Sequence, residues 1–309
     1  MKAQALFTLP DSPIPATAKA SNPAAREAQA IERLAALALE LAGLAIRPAK
    51  FPMLQARLTR RQRALGLPDL ASYADHLGRP ERRAEHGAFL GAVTTHVSAF
   101  FREPRQFDRF GSELLPHLIR RARSGRKVRL WTAGGAAGQE AQTLAMLVLT
   151  AMPDAAAFDI RILTSDIDPA MTGLAQALSV TPAAADAIPA PYRHRFVRPA
   201  ADGSLRLGEG LRPLLQFATH DLHAPWPAPG PFDAIFCRNV LIYFARDHQE
   251  RLCTRFAAAL RPGGWLCLGH AEAPGTGASA ALTSQGDRIW SKPEGIVTTP
   301  ARPTRERSV

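Results

Sequence analysis

The sequence has little cysteine, no long apolar segment and no secretion signal. Its three cysteines, Cys237, Cys253 and Cys267, lack CxxC spacing and leave one thiol over in any disulfide scheme. This pattern favours core residues of a reducing cytoplasm over a disulfide framework or a zinc site. No apolar run approaches the roughly 18 residues of a membrane span, and Asp11 with three prolines interrupts the N-terminal stretch. We therefore expect a cytoplasmic protein that binds no metal and does not insert into membranes.

Several motifs of common enzyme classes are also missing. The glycine-rich run 134–138 lacks the Gly-Lys-Ser/Thr of a P-loop, which argues against triphosphate hydrolysis. No Gly-x-Ser-x-Gly elbow occurs, so a serine hydrolase has no support. No two of the nine histidines stand four residues apart, which leaves no helical metal motif.

Positive charge is concentrated in the first part of the chain. Residues 1–127 contain 21 Lys and Arg against 11 Asp and Glu, whereas the remaining residues contain 17 against 16. An acidic partner should therefore dock on the first part, although charge alone does not distinguish nucleic acid, a membrane surface or an acidic protein. A stripe of arginines on one predicted helix is either that docking surface or an ordinary solvated face: Arg57, Arg60, Arg61 and Arg63.

The sequence divides into a helical part and an α/β part. Residues 25–97 show apolar residues at helical spacing, and 98–126 form a linker with a connecting helix that Pro104 opens. Over 127–292 strands alternate with helices, which predicts a Rossmann-like domain with a parallel sheet. Turn signals within 195–216 predict a small inserted antiparallel β-subdomain.

The two ends of the chain have a different composition. Residues 1–24 are rich in Ala, Pro and Ser, and 293–309 are rich in Thr, Pro and Arg. Such segments cannot bury enough apolar surface to fold on their own. We predict that both tails are disordered.

Polar residues stand where the predicted strands end. Gly134 follows the strand Val128–Ala133, Asp166 ends the next strand, and Asp221 and Asn239 end two more. Because the carboxyl ends of parallel strands meet at one edge of a sheet, these residues should line one crevice. A carboxylate such as Asp166 can accept both hydroxyls of a ribose there, although a helix N-cap is an ordinary alternative role. The pattern predicts a site for a ribose-bearing cofactor.

Two further segments have an unusual composition. Thr94–Pro104 combines two phenylalanines with hydroxyls, His96 and Arg102, which favours a site over a plain linker. The stretch from Pro231 to Phe244 reads P-F-D-A-I-F-C-R-N-V-L-I-Y-F, a buried strand that ends at polar residues. A helix, the turn Arg261–Gly264 and another strand follow. This order is typical of methyltransferases that use S-adenosylmethionine.

Together these motifs resemble those of the bacterial chemotaxis receptor methyltransferases, the CheR family, over about residues 31–290. The matching blocks, in the family's order, are T-T-x-x-x-x-F-F-R-E, the glycine loop with Gln139-Glu140, S-D-I-D, F-C-R-N-V-x-I-Y-F, L-R-P-G-G and G-H-A-E. The resemblance implies an all-α N-terminal domain and a Rossmann-like domain with a β insert. It also implies methyl transfer from S-adenosyl-L-methionine to glutamate side chains of chemoreceptors, which yields S-adenosyl-L-homocysteine.

The resemblance also implies roles for particular residues. The cofactor positions are His96, Ser98, Arg102, Gly134, Glu140, Asp166, Asp221, Leu222, Asn239 and Val240. Arg102 and Tyr243 are the expected catalytic residues. Arg57, Arg60, Arg61 and Arg63 fall where the family recognises acidic methylation helices of the receptor's cytoplasmic domain. The β insert corresponds to a subdomain that binds a C-terminal receptor peptide in some members. We expect a monomer without a nucleic-acid partner.

Two other functions remain open. Gln139, Gln142 and Ala245 depart from the residues usual in the family, which leaves room for a cofactor-binding signalling module with altered or no transferase activity. An RNA methyltransferase is a further alternative, favoured by the basic N-terminal part. The chain has only three tyrosines and no aromatic-basic RNA module there, which argues against RNA.

Overall fold

The computed structural model describes residues 22–226 and 230–294. Most of the two tails that the sequence predicted as disordered, 1–21 and 295–309, lies outside these residues. The first described helix begins at Pro23, inside the predicted tail, because the Asn22 side chain caps it by accepting a hydrogen bond from the Ala24 N–H. Within the described ranges, no helix has the length and apolar character needed to cross a membrane.

Four α-helices form the described part of the N-terminal region, from residue 22 to residue 97. They are α1 (Pro23–Ala42), α2 (Phe51–Ala64), α3 (Leu70–Leu77) and α4 (Ala84–Val93). Gly43 ends α1 with a left-handed φ of 67°, which glycine adopts without steric cost. Asp69 begins α3 by accepting a hydrogen bond of 2.8 Å from the Ser72 N–H. All four lie within or next to residues 25–97, where apolar residues recur at helical spacing.

The connecting helix is interrupted in its middle. It consists of α5 (Pro104–Arg109), a π-helical turn (Phe110–Leu114) and α6 (Leu115–Arg123). Pro116 in the first turn of α6 has no N–H to give to a carbonyl of the preceding turn. The hydrogen-bond pattern therefore shifts there, which apolar periodicity alone does not reveal.

In the described residues after α6, ten strands and six more α-helices follow. The strands are β1 (Val128–Ala133), β2 (Ile160–Asp166), β3 (Ser179–Val180), β4 (Val197–Pro199), β5 (Leu205–Leu207), β6 (Leu215–Thr219), β7 (Phe232–Cys237), β8 (Leu260–Leu268), β9 (Thr283–Gly286) and β10 (Ile289–Ser291). The helices are α7 (Gln139–Ala151), α8 (Pro169–Ala177), α9 (Pro182–Asp186), α10 (Ala190–Phe196), α11 (Arg246–Ala259) and α12 (Gly275–Ser279).

Seven of the strands form one mixed sheet in the order β6-β2-β1-β7-β8-β10-β9. The first five are mutually parallel, and β10 and β9 are antiparallel additions at one edge. The order reverses direction at β1, between β2 and β7. In open α/β sheets ligands bind beyond the carboxyl ends of the strands at such a reversal. The predicted Rossmann-like architecture is confirmed.

The inserted subdomain differs from its predicted bounds. The sequence placed an antiparallel insert at 195–216, whereas the small sheet has the order β3-β5-β4 and includes β3, which begins at Ser179. The end of the predicted range, from Leu215, already belongs to β6 of the large sheet. A strand of two residues leaves too short a pattern to recognise, which is why β3 was missed.

Buried apolar residues form two clusters, and neighbouring residues of β7 belong to different ones. Leu34, Leu58 and Phe89 of the N-terminal helices cluster with Ile235. Phe236 joins the second cluster, to which α5, α6 and α7 contribute. Because successive strand residues point to opposite faces, the two clusters lie on the two faces of the sheet. The N-terminal helices thus share a core with one face of the α/β domain.

Candidate cofactor site

A cleft of about 850 Å³, its open mouth included, lies at the carboxyl ends of β1, β2, β6 and β7. All ten cofactor residues predicted from the sequence line it: His96, Ser98, Arg102, Gly134, Glu140, Asp166, Asp221, Leu222, Asn239 and Val240. Tyr243 lines it as well. Residues from four strand ends and from the segment before α5 therefore meet at one place.

The glycine loop after β1 lies against its neighbours so closely that side chains do not fit. Gly134 has a φ of 73°, and a Cβ there would lie 2.5 Å from Val240 Cγ2. A Cβ on Gly135 would lie 2.2 Å from Thr164 Oγ1. The loop therefore needs glycine at both positions, and its backbone is open to a ligand at the start of α7.

Asp166 holds the loops on either side of it. Its Oδ2 accepts the Ala136 N–H at 2.9 Å, and its Oδ1 accepts the Asp168 N–H at 3.0 Å. The residue is only 6 % exposed. Two carboxylate oxygens offer about four acceptor positions, so capacity remains for the hydroxyls of a ligand. The helix N-cap at α8 is supplied by Asp168 instead, which accepts the Ala170 N–H.

His96 links Asp166 to the segment before it. Its Nε2 lies 3.3 Å from Asp166 Oδ1 and 3.1 Å from Thr94 Oγ1, and its Nδ1 lies 3.8 Å from Asp168 Oδ2. The imidazole thus fills the space between two acidic residues of one loop. His96 lines the cleft, and its ring nitrogens contact Thr94, Asp166 and Asp168 of the same chain.

Asn239 has a strained backbone that a buried glutamate stabilises. Its φ is +59°, and Glu272 Oε2 accepts both its N–H (2.9 Å) and the Gly269 N–H (2.7 Å). Burial raises the pKa of Glu272, while these backbone hydrogen bonds oppose the shift. Asn239 Oδ1 is buried and has no hydrogen-bond partner among the described residues. A buried amide oxygen without a donor suits a ligand that carries an N–H or O–H group.

Arg238 is a buried cation that the sequence prediction did not assign a role. Its Nη1 donates to Glu140 Oε2 at 2.6 Å, its Nη2 lies 3.2 Å from Glu103 Oε2, and it also donates to the Arg102 carbonyl. Burial raises the pKa of Glu140, and the guanidinium opposes this shift. An arginine that directly follows a buried strand, apolar apart from Asp233, was the available signal. Glu272, in the G-H-A-E block, was likewise unassigned.

Arg102 stands on a strained turn. Phe101 and Glu103, on either side of it, have φ values of 52° and 56°, a region that costs non-glycine residues free energy. The Phe101 N–H donates to Thr143 Oγ1 at 3.2 Å, and the Arg102 guanidinium donates to the Val97 carbonyl at 2.8 Å. Strain maintained by such contacts is typical of functional sites.

Tyr243 and Asp221 lie on different walls of the cleft. The Tyr243 hydroxyl donates to the Thr95 carbonyl at 3.2 Å. Asp221 Oδ1 accepts the His223 N–H at 2.9 Å. Burial would raise the pKa of Asp221, but the hydrogen bonds from His223 outweigh it and the pKa is lowered. Asp221 is therefore a carboxylate near neutral pH.

The four arginines of α2 do not form a single surface. Arg57 donates to the Thr94 carbonyl (2.7 Å) and to Thr95 Oγ1 (3.1 Å). Arg61 donates through two nitrogens to Glu85, at 2.5 Å each. Arg60 is exposed beside His96, and among the described residues it forms no side-chain hydrogen bond or ion pair. Arg63 lines a separate recess with Asp69.

The family models and curated relatives match nearly the whole described chain. The model of the CheR methyltransferase SAM-binding domain matches residues 96–284, and that of the CheR all-alpha domain matches 29–94. A probable chemotaxis protein methyltransferase of Rhizobium etli is 36% identical over 75% of this chain and 87% of its own length. Chemotaxis protein methyltransferase 2 of Pseudomonas aeruginosa is 36% identical over 81% of this chain and 88% of its own length. The chemotaxis protein methyltransferase of Escherichia coli is 34% identical over 78% of this chain and 82% of its own length.

The residues of the SAM-binding model include every predicted cofactor position, from His96 to Val240, and Tyr243. The all-alpha model ends at residue 94, where the segment that enters the cleft begins. The chain therefore belongs to the CheR methyltransferase family, and the cleft lies within its SAM-binding domain.

Proposed function

We propose that the chain transfers a methyl group from S-adenosylmethionine to glutamate side chains of chemoreceptors and so forms glutamate methyl esters. The observation that carries the proposal is the single cleft at the reversal of the sheet, which gathers the ten predicted cofactor residues with Tyr243. Membership of the CheR methyltransferase family supports the same reaction.

The residues present fit the cofactor. Asp166 has acceptor capacity for ribose hydroxyls beyond its two backbone donors. Asn239 Oδ1, buried without a partner in the described chain, would accept a donor from the cofactor. Gly134 brings its backbone to the cleft in the loop that leads into α7. Arg102, on its strained turn, would position the polar tail of the cofactor.

When bound, S-adenosylmethionine supplies an electrophilic methyl group on a sulfonium, which a carboxylate oxygen takes as the C–S bond breaks. An unperturbed glutamate titrates near about 4.3, so the acceptor is already ionised and no residue has to remove a proton. The protein's contribution is alignment and exclusion of water. We assign alignment of the incoming carboxylate to Tyr243, which donates to the Thr95 carbonyl, and to Arg102, which donates to the Val97 carbonyl of the same segment.

We propose the acidic methylation helices of the receptor's cytoplasmic domain as the substrate. Of the four arginines of α2, Arg60 is available to them beside the cleft, whereas Arg57 and Arg61 already bind other residues. The edge strands β3 and β4 of the insert offer main-chain groups to a C-terminal receptor peptide by strand addition. A monomer in the cytoplasm completes the proposal.

Methyl transfer from labelled S-adenosylmethionine to membranes of the source organism tests this function. We expect label in a receptor-sized band, released as methanol by alkali because methyl esters hydrolyse there, and unaffected by nuclease. Binding of S-adenosylhomocysteine without any transfer would instead indicate a signalling module of the same fold. Label that nuclease removes would indicate an RNA substrate.

A further inference from the structure

A surface beside the cleft combines exposed apolar side chains with cations, and the proposed cofactor contacts do not use it. Ile242 is 49% exposed and Met53 is 38% exposed. Both line a recess next to Tyr243 that is formed by the start of α2 and the segment after β7. They are two of the six large apolar side chains that are exposed in the described residues. Two such side chains in one recess indicate a contact surface.

Three exposed cations lie along this recess and the one next to it. Lys50 Nζ lies 5.6 Å from the centre of the Tyr243 ring. Arg47 and Arg246 line a second recess on the other side of Ile242. The Arg246 side chain is 90% exposed, and its acidic neighbour Glu250 is 3.6 Å away, a surface pair that contributes little. We call Arg47, Lys50, Met53, Ile242 and Arg246 the docking ridge.

The cations of the docking ridge stand at or just before the starts of helical segments. Arg246 is the first residue of α11, and Lys50 is the residue before α2. Arg47 precedes the short 3-10 turn that leads into α2. The positive end of a helix dipole lies at its N-terminus and disfavours cations there. The dipoles of α2 and α11 therefore do not account for Lys50 and Arg246, whereas an anionic partner would offset the charge of both.

We propose that the docking ridge receives an acidic amphipathic helix that carries the glutamate to be methylated. The apolar side of this helix packs on Met53 and Ile242, and its carboxylates pair with Arg47, Lys50 and Arg246. Tyr243 lines both the recess and the cleft, so a helix on the ridge lies at the mouth of the cofactor site. This inference rests on the proposed function and adds the surface that selects the substrate.

The test compares ridge variants with matched controls outside the ridge. The double variant Arg47→Glu with Arg246→Glu is compared with Arg120→Glu with Arg123→Glu, two exposed arginines of α6 at the opposite end of the sheet. Ile242→Ser is compared with Leu174→Ser, which changes a residue of α8 that is 52% exposed. The substrate is membranes of the source organism at varied amounts, and S-adenosylhomocysteine affinity is measured for each variant.

We expect the double ridge variant to need at least about tenfold more membrane for half-maximal methylation, because reversed charges repel an acidic partner. Ile242→Ser should need several-fold more. The affinity of both ridge variants for S-adenosylhomocysteine should stay within about twofold of that of the unchanged protein. The control variants should match the unchanged protein in both affinity and membrane dependence. Unchanged membrane dependence in the ridge variants would overturn the inference, as would an equal loss in the controls or a loss of S-adenosylhomocysteine affinity. An unchanged protein that binds no S-adenosylhomocysteine would contradict the proposed function itself.

Discussion

At the scale of single residues, several charged side chains of the cleft hold backbone rather than face solvent. Glu272 holds the N–H groups of Asn239 and Gly269 with one oxygen. Arg238 holds the Arg102 carbonyl and joins Glu140 to Glu103. Buried charges of this kind are costly unless they are fully paired. Their pairing keeps the ends of β7 and β8 and the turn at Arg102 in a fixed arrangement before a ligand arrives.

Replacing Glu272 with glutamine should weaken cofactor binding. The glutamine keeps one acceptor, but its amide nitrogen cannot accept the Ile242 N–H that Glu272 Oε1 now accepts at 3.3 Å. A buried N–H that loses its carboxylate acceptor costs about 1–3 kcal/mol. Because these N–H groups fix the backbone at Asn239, we expect S-adenosylhomocysteine affinity to fall about tenfold or more. Calorimetric titration measures it. Glu113→Gln, which removes an exposed carboxylate outside the cleft, should bind normally, and equal affinities in both variants would contradict the role of Glu272.

That Asp166 and Asn239 line one cleft could be predicted from the sequence, whereas the residues that hold them in place could not. Asp166 and Asn239 end apolar strands, a pattern that is local in the chain. Glu272 is 33 residues away from Asn239, and Arg238 is 98 residues away from Glu140. Nothing in local composition links such pairs, because the sheet order brings them together.

At the scale of elements, the extended segment between α4 and α5 is held from both sides. Arg57 of α2 donates to Thr94 and Thr95, and Tyr243 donates to the Thr95 carbonyl. The next residue, His96, contacts Asp166. The arginine stripe of α2 predicted one docking face. In the structure, Arg57 instead binds the segment at Thr94 and Arg61 binds Glu85. Arg57 therefore supports the cofactor site from a distance.

Arg57 and Arg60 should have separable roles. Arg57→Ala removes two hydrogen bonds to the segment that carries His96, so we expect S-adenosylhomocysteine affinity to fall about tenfold. Arg57→Lys keeps a hydrogen-bond donor and should therefore retain part of the affinity that Arg57→Ala loses. Arg60→Ala should leave this affinity unchanged and raise the amount of receptor needed for half-maximal methylation. If Arg57→Ala affected only the receptor dependence, Arg57 would be a receptor contact as the sequence first indicated.

At the scale of the whole molecule, the N-terminal helices and the α/β domain are parts of one packed structure. Leu34 and Phe89 share a cluster with Ile235 of β7, and the Ala45 N–H donates to the Tyr243 carbonyl at 2.8 Å. Composition and periodicity predicted the two parts. Their shared core could not be predicted, since an amphipathic helix does not reveal which apolar face it covers.

The stability of this arrangement should depend on pH through Glu85, which accepts hydrogen bonds from Arg61 and Tyr73. Burial raises the pKa of Glu85, but those hydrogen bonds outweigh it and the pKa is lowered from 4.5. A lowered pKa means that the stabilisation is complete above the unfolded-state pKa and is lost as the pH falls through the folded-state value. Glu85→Gln should therefore reduce the free energy of unfolding by about 1–3 kcal/mol at pH 7 and by less in acid.

Urea denaturation at several pH values measures this difference. The matched control is Glu81→Gln, which changes an exposed glutamate in the turn before α4. It should leave the free energy of unfolding almost unchanged at every pH. If the free energies of unfolding of Glu85→Gln and the unchanged protein differed by the same amount down to pH 3, the charge of Glu85 would not be the cause of the difference.

Titration of the protein with S-adenosylhomocysteine in a calorimeter tests the central claim most directly, namely that four strand ends gather around one cofactor. We predict one binding site per chain, an affinity that falls at least about tenfold in Asp166→Ala through loss of a buried acceptor, and an unchanged affinity in Arg63→Ala. No heat of binding in the unchanged protein, or equal affinities in the two variants, would contradict the account.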